Sequence, residues 1–408
     1  MITETHSSAP ARNTTSFLFV FLLVALCGVA LRIYPSSSFT SVGFDEGLYR
    51  GYVNDLIREG LWNYPAFAEH YVDVQQRLPS AILPPTRFLY IFCAYLWHLA
   101  TGAEALAALH HISTLFSVLL LFAGTAFAWR LAGRAVGLAV LALMSCAPSQ
   151  IHMAQHALID GFFAFWATLC LWFLWENLRR PDDWRWLTAY TSALAAMVLT
   201  KENAAFAYVG LLSLLALNRW AKFGTITRRL LLLTIAGPLI GVVTLICLTG
   251  GAETFFQTYR LLVGKASVLP YAVATGDGPW YRYLLDLLLI SPLIFLLAWG
   301  SLFRLRLWDK AFIYMLAFVA ATYLLMCNVQ YGMNLRYTNM WDLPLRYIAV
   351  LGLFSLTTEL KKNRLAVTTG AVVFLCLFDL RQYYIFFVQH NLYELVTSGL
   401  LHAVKILK

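Results

Sequence analysis

The feature that most limits what this chain can fold into is the recurrence of apolar runs long enough to cross a bilayer. They lie near residues 16–34, 83–100, 106–129, 134–148, 157–178, 186–201, 203–218, 230–249, 281–303, 311–328, 343–358 and 365–388. A hydrocarbon core of about 30 Å takes roughly 17–25 such residues in helical form. Short polar loops join the runs and leave no room for a sizeable soluble domain. A mean hydropathy of +0.67 excludes an ordinary soluble protein. The expected fold is an all-α polytopic membrane protein of about 11 transmembrane helices. Residues 1–15 are expected to form a disordered tail, and 16–408 a single transmembrane domain. The first run is long and lacks an A-x-A cleavage site, so it reads as a retained anchor.

The formal charge is +9, but its distribution speaks of topology. Arg179-Arg180, Arg219 to Arg229, Arg304 to Lys310 and Lys361-Lys362-Asn363-Arg364 fall at every second connection. Cytoplasmic loops collect Lys and Arg in this way, so nucleic acid is not an expected partner. The 36–80 stretch carries Asp45, Glu46, Asp55, Glu59, Glu69 and Asp73 against Arg50, Arg58 and Arg77. It is therefore non-cytoplasmic, with the N-terminus inside. Counting spans back from the basic loops puts the loops near 36–82, 250–280 and 329–342, with Asp160 and Lys201-Glu202, on that same side. One parity problem stands: three apolar segments lie between residues 80 and 150, and only an even number can cross. Either the segment from Pro84 is re-entrant or interfacial, or two of the three form one bent element.

The polar residues on the non-cytoplasmic side are the candidates for chemistry. Phe44 to Glu59 reads as a short amphipathic helix on the membrane surface, its apolar face made by Phe44, Leu48, Tyr52 and Leu56. Asp45 can cap that helix and Glu46 can pair with Arg50. Asp160 opens a strongly apolar helix, where the helix dipole favours a carboxylate. His152 and His156 lie one turn apart. Without a third ligand at suitable spacing they read as hydrogen-bonding interface histidines, and no metal site is assigned. Lys201 and Glu202 break an apolar run; they can pair with one another or snorkel, while an ionisable group near membrane depth points to function. Arg260 and Lys265 precede a Thr275-Gly276-Asp277-Gly278-Pro279-Trp280 turn, and Arg336-Tyr337 brings another cation to the same face. Arginine suits phosphate through its planar fork. The seven cysteines lie in apolar segments, too far apart for a metal site or disulfide framework.

In order along the chain stand Asp45-Glu46 after the first span, Pro84-Pro85, Ala157-Leu158-Ile159-Asp160 and Leu199-Thr200-Lys201-Glu202. This ordered set resembles the GT-C glycosyltransferases, closest to the protein mannosyltransferase and aminoarabinose transferase type. The resemblance covers most of the first 220 residues; beyond them Arg336-Tyr337 and Pro344 match loosely. It implies an inverting glycosyltransferase that takes a hexosyl or pentosyl group from a polyprenyl-phosphate donor. The acceptor would be a lipid, glycan or protein outside the cytoplasm, and the location a bacterial inner (plasma) membrane. By resemblance Asp45 is the general base or acceptor-orienting acid, Glu46 supports it, Asp160 lines the cavity, and Lys201 with Arg336 faces the donor phosphate. Leu83 stands where relatives often carry a basic residue before Pro-Pro, so Arg87, Lys201, Arg260 or Lys265 is expected to supply that phosphate contact. Glu202 and Tyr337 complete the expected substrate-binding set. The chain ends at Lys408 without the soluble domain of several relatives, which leaves acceptor recognition to the surface loops. No cofactor is required, although Asp45, Glu46 and Asp160 are hard oxygen ligands of the kind a divalent cation accepts. The rival reading is a transporter or flippase of lipid-linked sugars, which would place its charges near mid-membrane in repeated halves.

Overall fold

The computed structural model describes residues 11–34, 42–265, 279–329, 333–358, 360 and 363–406. Among them every regular element is a helix, the form in which a lipid-exposed segment satisfies its own backbone. In order these are α1 (Ala11–Ile33), α2 (Phe44–Glu59), α3 (Tyr64–Arg77), α4 (Phe88–Thr101), α5 (Ala105–Ala132), α6 (Arg134–Ser145), α7 (Pro148–Ala154), α8 (Ile159–Arg179) and α9 (Trp184–Val198). There follow α10 (Ala204–Ala221), α11 (Arg228–Leu248), α12 (Ala252–Gly264), α13 (Arg282–Ile290), α14 (Pro292–Ser301), α15 (Lys310–Met326), α16 (Asp342–Thr358), α17 (Arg364–Tyr383) and α18 (Thr397–Ala403). A 3₁₀ stretch, Leu335–Trp341, precedes α16, and a π turn, Tyr384–Gln389, follows α17.

The chain is a multi-pass membrane protein. Among the described residues six helices have the length and apolarity to cross a membrane, seven if α6 and α7, bent by 60°, act as one span. Against the expected eleven, α4, α14 and α15 are apolar but shorter. The parity problem finds a geometric answer here. With 14 residues, α4 reaches only about 21 Å at 1.5 Å per residue, short of a hydrocarbon core. The bend between α6 and α7 falls at Cys146-Ala147, just before Pro148, whose ring cannot continue a helix. The expected tail is also corrected: α1 already begins at Ala11, because each residue added to a helix end gains a hydrogen bond. Residues 1–10 lie outside the described residues.

Two ends of the bundle are set by α8. Near its C-terminus Glu176 accepts from Arg130 Nε at the end of α5 (2.8 Å) and lies 3.7 Å from Arg180 Nε. Asp160 stands in its first turn, about 24 Å away at the helical rise. Arg130 and Arg180 thus lie at one end of α8 and the candidate acid Asp160 at the other. Helix α9 is fixed by α11 through a small-residue seam. A Cβ on Gly237 would lie 2.8 Å from Leu194 Cβ, and one on Gly241 2.8 Å from Val198 Cβ. Such close approach is how apolar helices associate in lipid, and it anchors the turn that carries Lys201.

Where described, the three loops expected on the non-cytoplasmic side are largely helical. The 36–82 region contains α2 and α3, with residues 35–41 outside the described set. The 250–280 region begins as α12, and the Thr275 to Gly278 part of its turn lies among the undescribed residues 266–278. The 329–342 region holds the 3₁₀ stretch. Helix α2 has the expected bounds, but its buried stripe is Glu46, Tyr49, Val53 and Leu56, while Phe44 is 68% exposed. The helix packs on α4 and α5 rather than lying free on lipid, which turns it away from the expected Phe44–Leu48–Tyr52 face.

Candidate active site

The N-terminus of α2 is clamped by one carboxylate. Glu46, buried at the third helical position, accepts from the Gly43 N–H (2.8 Å), the Ala157 N–H (2.8 Å) and His156 Nδ1 (3.0 Å). It therefore joins α2 to the α7–α8 connection and does not pair with Arg50. Burial alone would raise its pKa; the His156 hydrogen bond and charge, with the Gly43 and Ala157 N–H groups, hold it at about 2 against an ordinary 4.5. A carboxyl depressed in the folded state stabilises fully above the unfolded value and loses that contribution as pH falls toward the folded one. Glu46→Ala is expected to cost about 1–3 kcal/mol near neutral pH, because it strands buried donors. Denaturant unfolding in detergent should show the deficit shrinking between pH 4.5 and 2.

Next to this clamp, four segments meet on one guanidinium. Arg336, from the 3₁₀ stretch, is 4% exposed. It donates through Nη2 to Asp45 Oδ2 (2.5 Å), through Nε to Asp160 Oδ2 (3.2 Å) and through Nη1 to Glu394 (3.0 and 3.1 Å). The other Asp160 oxygen accepts from Lys201 Nζ (2.6 Å), which sits 4.4 Å from the Tyr337 ring centroid. Burial pulls the Lys201 ammonium below its ordinary pKa, and Asp160 opposes that pull. Asn334 fixes the arrangement from beneath, donating to Glu394 Oε2 (2.5 Å) and accepting from the Arg336 N–H (3.0 Å). Asp45 is the carboxylate of this group at the surface helix, with 17% of its side chain exposed. Among the described residues its Oδ1 makes no hydrogen bond.

A second pair lies alongside. Arg87 binds Glu202 through Nε (3.1 and 3.2 Å) and Nη2 (3.0 Å), and donates through Nη1 to Tyr49 Oη (2.6 Å). Burial would raise the Glu202 pKa, and Arg87 holds it below the ordinary range. Lys201 and Glu202 do not pair with each other: the turn sends Lys201 to Asp160 and Glu202 to Arg87. The segment before Arg87 is pinned by tyrosine hydroxyls donating to carbonyls, Tyr52 to Leu83 (2.7 Å), Tyr71 to Ile82 (3.0 Å) and Tyr64 to Pro85 (2.6 Å).

The sequence model of one family, dolichyl-phosphate-mannose-protein mannosyltransferase, matches residues 26–257, more than half of the chain. The chain belongs to this family. The match takes in Asp45, Arg87, Asp160 and Lys201 and stops before Arg336 and Glu394. Similar solved structures cover most of the chain. ArnT from Cupriavidus metallidurans in the apo state has a TM-score of 0.55 at 16% identity, over 96% of this chain and 75% of that one. The oligosaccharyltransferase AglB from Archaeoglobus fulgidus, in complex with an inhibitory peptide and a dolichol-phosphate, has a TM-score of 0.59 at 14% identity. That likeness covers 92% of this chain and 56% of AglB. No curated protein sequence matches. Family and fold place this mannosyltransferase-family chain in the GT-C superfamily of glycosyltransferases.

Of the expected site residues, the fold joins Asp45, Asp160, Lys201, Arg336 and Tyr337, with Glu46, Arg87 and Glu202 beside them. It does not bring in Lys265 or Arg260. Lys265 Nζ caps the end of α3, donating to the carbonyls of Gln75, Gln76 (3.3 Å) and Leu78 (2.5 Å), where a helix C-terminus favours a cation. Arg260 is exposed on α12. His152 is an interface residue as expected, its Nε2 3.0 Å from the Tyr393 carbonyl. Among the described residues no group of three His, Cys, Asp or Glu is arranged to hold a metal. Glu394 and Tyr393 were not anticipated. Their signal is topological: a basic loop before α17 and one more crossing put the polar stretch after residue 388 on the same side as Asp45.

Proposed function

We propose that this protein moves a sugar from a polyprenyl-phosphate donor to an acceptor hydroxyl on the non-cytoplasmic face of a bacterial plasma membrane, with inversion at the anomeric carbon. The observation that carries the reading is Asp45. One of its oxygens is held by Arg336, the other makes no hydrogen bond among the described residues, and the same guanidinium links it to the buried Asp160–Lys201 pair. In this scheme Asp45 Oδ1 takes the acceptor's proton as the acceptor oxygen bonds to the anomeric carbon. The bond from that carbon to the phosphate oxygen breaks, and its electrons leave with the phosphate. In this scheme the buried Arg336 and Lys201 face that developing charge, where electrostatic stabilisation counts most. Arg87 holds the Lys201 turn through Glu202, and Tyr337 supports the ammonium. Asp45 and Asp160 are assigned to Arg336 rather than to a divalent cation, because the guanidinium already bridges them.

The deciding experiment offers purified protein a panel of radiolabelled polyprenyl-phosphate sugars, with membrane extract as acceptor. Label leaving the lipid for one donor supports the reading and names the sugar; no transfer from any donor overturns it. The assigned face is tested separately. In a cysteine-free background, a cysteine at exposed Arg50 is expected to react with an impermeant maleimide in intact cells. One at exposed Arg180, among the basic loops, is expected to react only after permeabilisation. The opposite pattern would reverse the orientation.

A further inference from the structure

Helices α2 and α3 enclose a cleft of about 560 Å³ that the catalytic scheme leaves unused. Roughly 300–1,000 Å³ is the size of a typical ligand pocket. Its wall on α2 includes two glycines, beside Leu48, Tyr52, Asp55, Arg58 and Glu59. Gly47 and Gly51 lie one turn apart on the side facing the cleft, and a Cβ at either would meet nothing within 4 Å. Glycine in a helix interior lowers stability relative to alanine, and neither position has a positive φ or a close neighbour to require it. The space they leave open is therefore the feature to be explained.

The lining states the chemistry. Tyr52, Phe67 and Tyr71 offer rings; Asp55, Glu59 and His70 offer groups for hydroxyls; Arg58 is tied to Asp55. Two carboxylates against one arginine disfavour a phosphate, so the donor's headgroup is a poor match. An extended peptide finds no unpaired strand edge here, since both walls are helices whose backbone groups bond internally. Flat rings beside hydrogen-bonding side chains suit the alternating C–H and O–H faces of a sugar. The cleft also leads toward the proposed base, because Asp45, Leu48 and Tyr52 share one face of α2.

Resting on the sugar-transfer reading, we infer that the cleft between α2 and α3 binds a neutral glycan and that this glycan is the acceptor. The test uses full-length protein in detergent and a set of neutral hexose tetrasaccharides, read by saturation-transfer NMR on the sugar protons. Signal is expected with wild type and Gly51→Ala, since a Cβ there meets nothing within 4 Å, and is expected to be lost in Gly51→Leu, whose longer side chain would occupy the cleft. Unchanged thermal unfolding and donor binding in Gly51→Leu show that its loss is local. Absence of signal with every tetrasaccharide, or signal that survives in Gly51→Leu, overturns the inference. So does label from the transfer assay that resides in protein rather than carbohydrate. The NMR sample contains no donor, so a failure here and a failure of sugar transfer itself are seen separately.

Discussion

Asp45→Asn is expected to lower kcat/KM for sugar transfer by about 10²–10⁴-fold, the usual contribution of a positioned general base. Polyprenyl-phosphate binding and thermal unfolding should stay near wild type. Asparagine has the same size, and its carbonyl oxygen can still accept from Arg336 Nη2; what it lacks is the basic oxygen that would take the acceptor's proton. The side chain is partly exposed, so losing its charge should change stability by only about 0–1 kcal/mol. Asp45→Glu keeps the basicity but displaces it by about a methylene, and a shift of roughly 1 Å can cost on the order of 10²-fold. The neighbouring acid gives the contrast: Glu46 faces backbone donors and His156, so its replacement should move stability more than chemistry. Transfer that survives intact in Asp45→Asn would take the base away from this residue and turn attention to Asp160.

Much of this site can be read in the sequence because membrane topology does in one dimension what folding does in three. Residues 45, 160, 201 and 336 lie far apart along the chain, but basic loops between them force each back to the same face. The packed structure then needs only local turns to bring them onto one guanidinium. Helix α2 was legible for another reason, since a Gly-bounded stretch with charges on one side has few alternatives. What sequence left unread depends on side-chain partners. The buried face of α2 is chosen by α4 and α5, and nothing within residues 44–59 records them. Lys265 looks like any loop cation until the end of α3 is seen beneath it. Lys201 and Glu202 look like a pair until the turn sends them apart. Glu394 sits in a short polar stretch with no helical period, and only the last crossing betrays its side.

The gathering of Asp45, Asp160 and Glu394 around Arg336 makes that residue both keystone and candidate catalyst, and the two roles separate by experiment. Arg336→Met is expected to destabilise the protein by about 3–5 kcal/mol, the usual result of leaving a buried charge unpaired. Transfer should fall to background. Arg336→Lys keeps a charge without the fork that spans three carboxylates, so it should regain part of the stability. Its turnover should stay lower by on the order of 10²–10³-fold, as when one donor to a developing anion is removed. The decisive variant combines Arg336→Met with Glu394→Gln, which removes one facing carboxylate charge along with the cation and leaves Asp160 paired with Lys201. If Arg336 only holds the acids apart, relieving that charge should restore both unfolding temperature and transfer. If it also meets the leaving phosphate, stability returns while kcat stays low, because no neutral network supplies positive charge where the phosphate gains its negative charge. Thermal unfolding and kcat measured on the same preparations distinguish these outcomes, and the geometry favours the second. Arg336 and Lys201 both lie on Asp160, so a phosphate arriving there would meet two cations from which one shared carboxylate can be displaced.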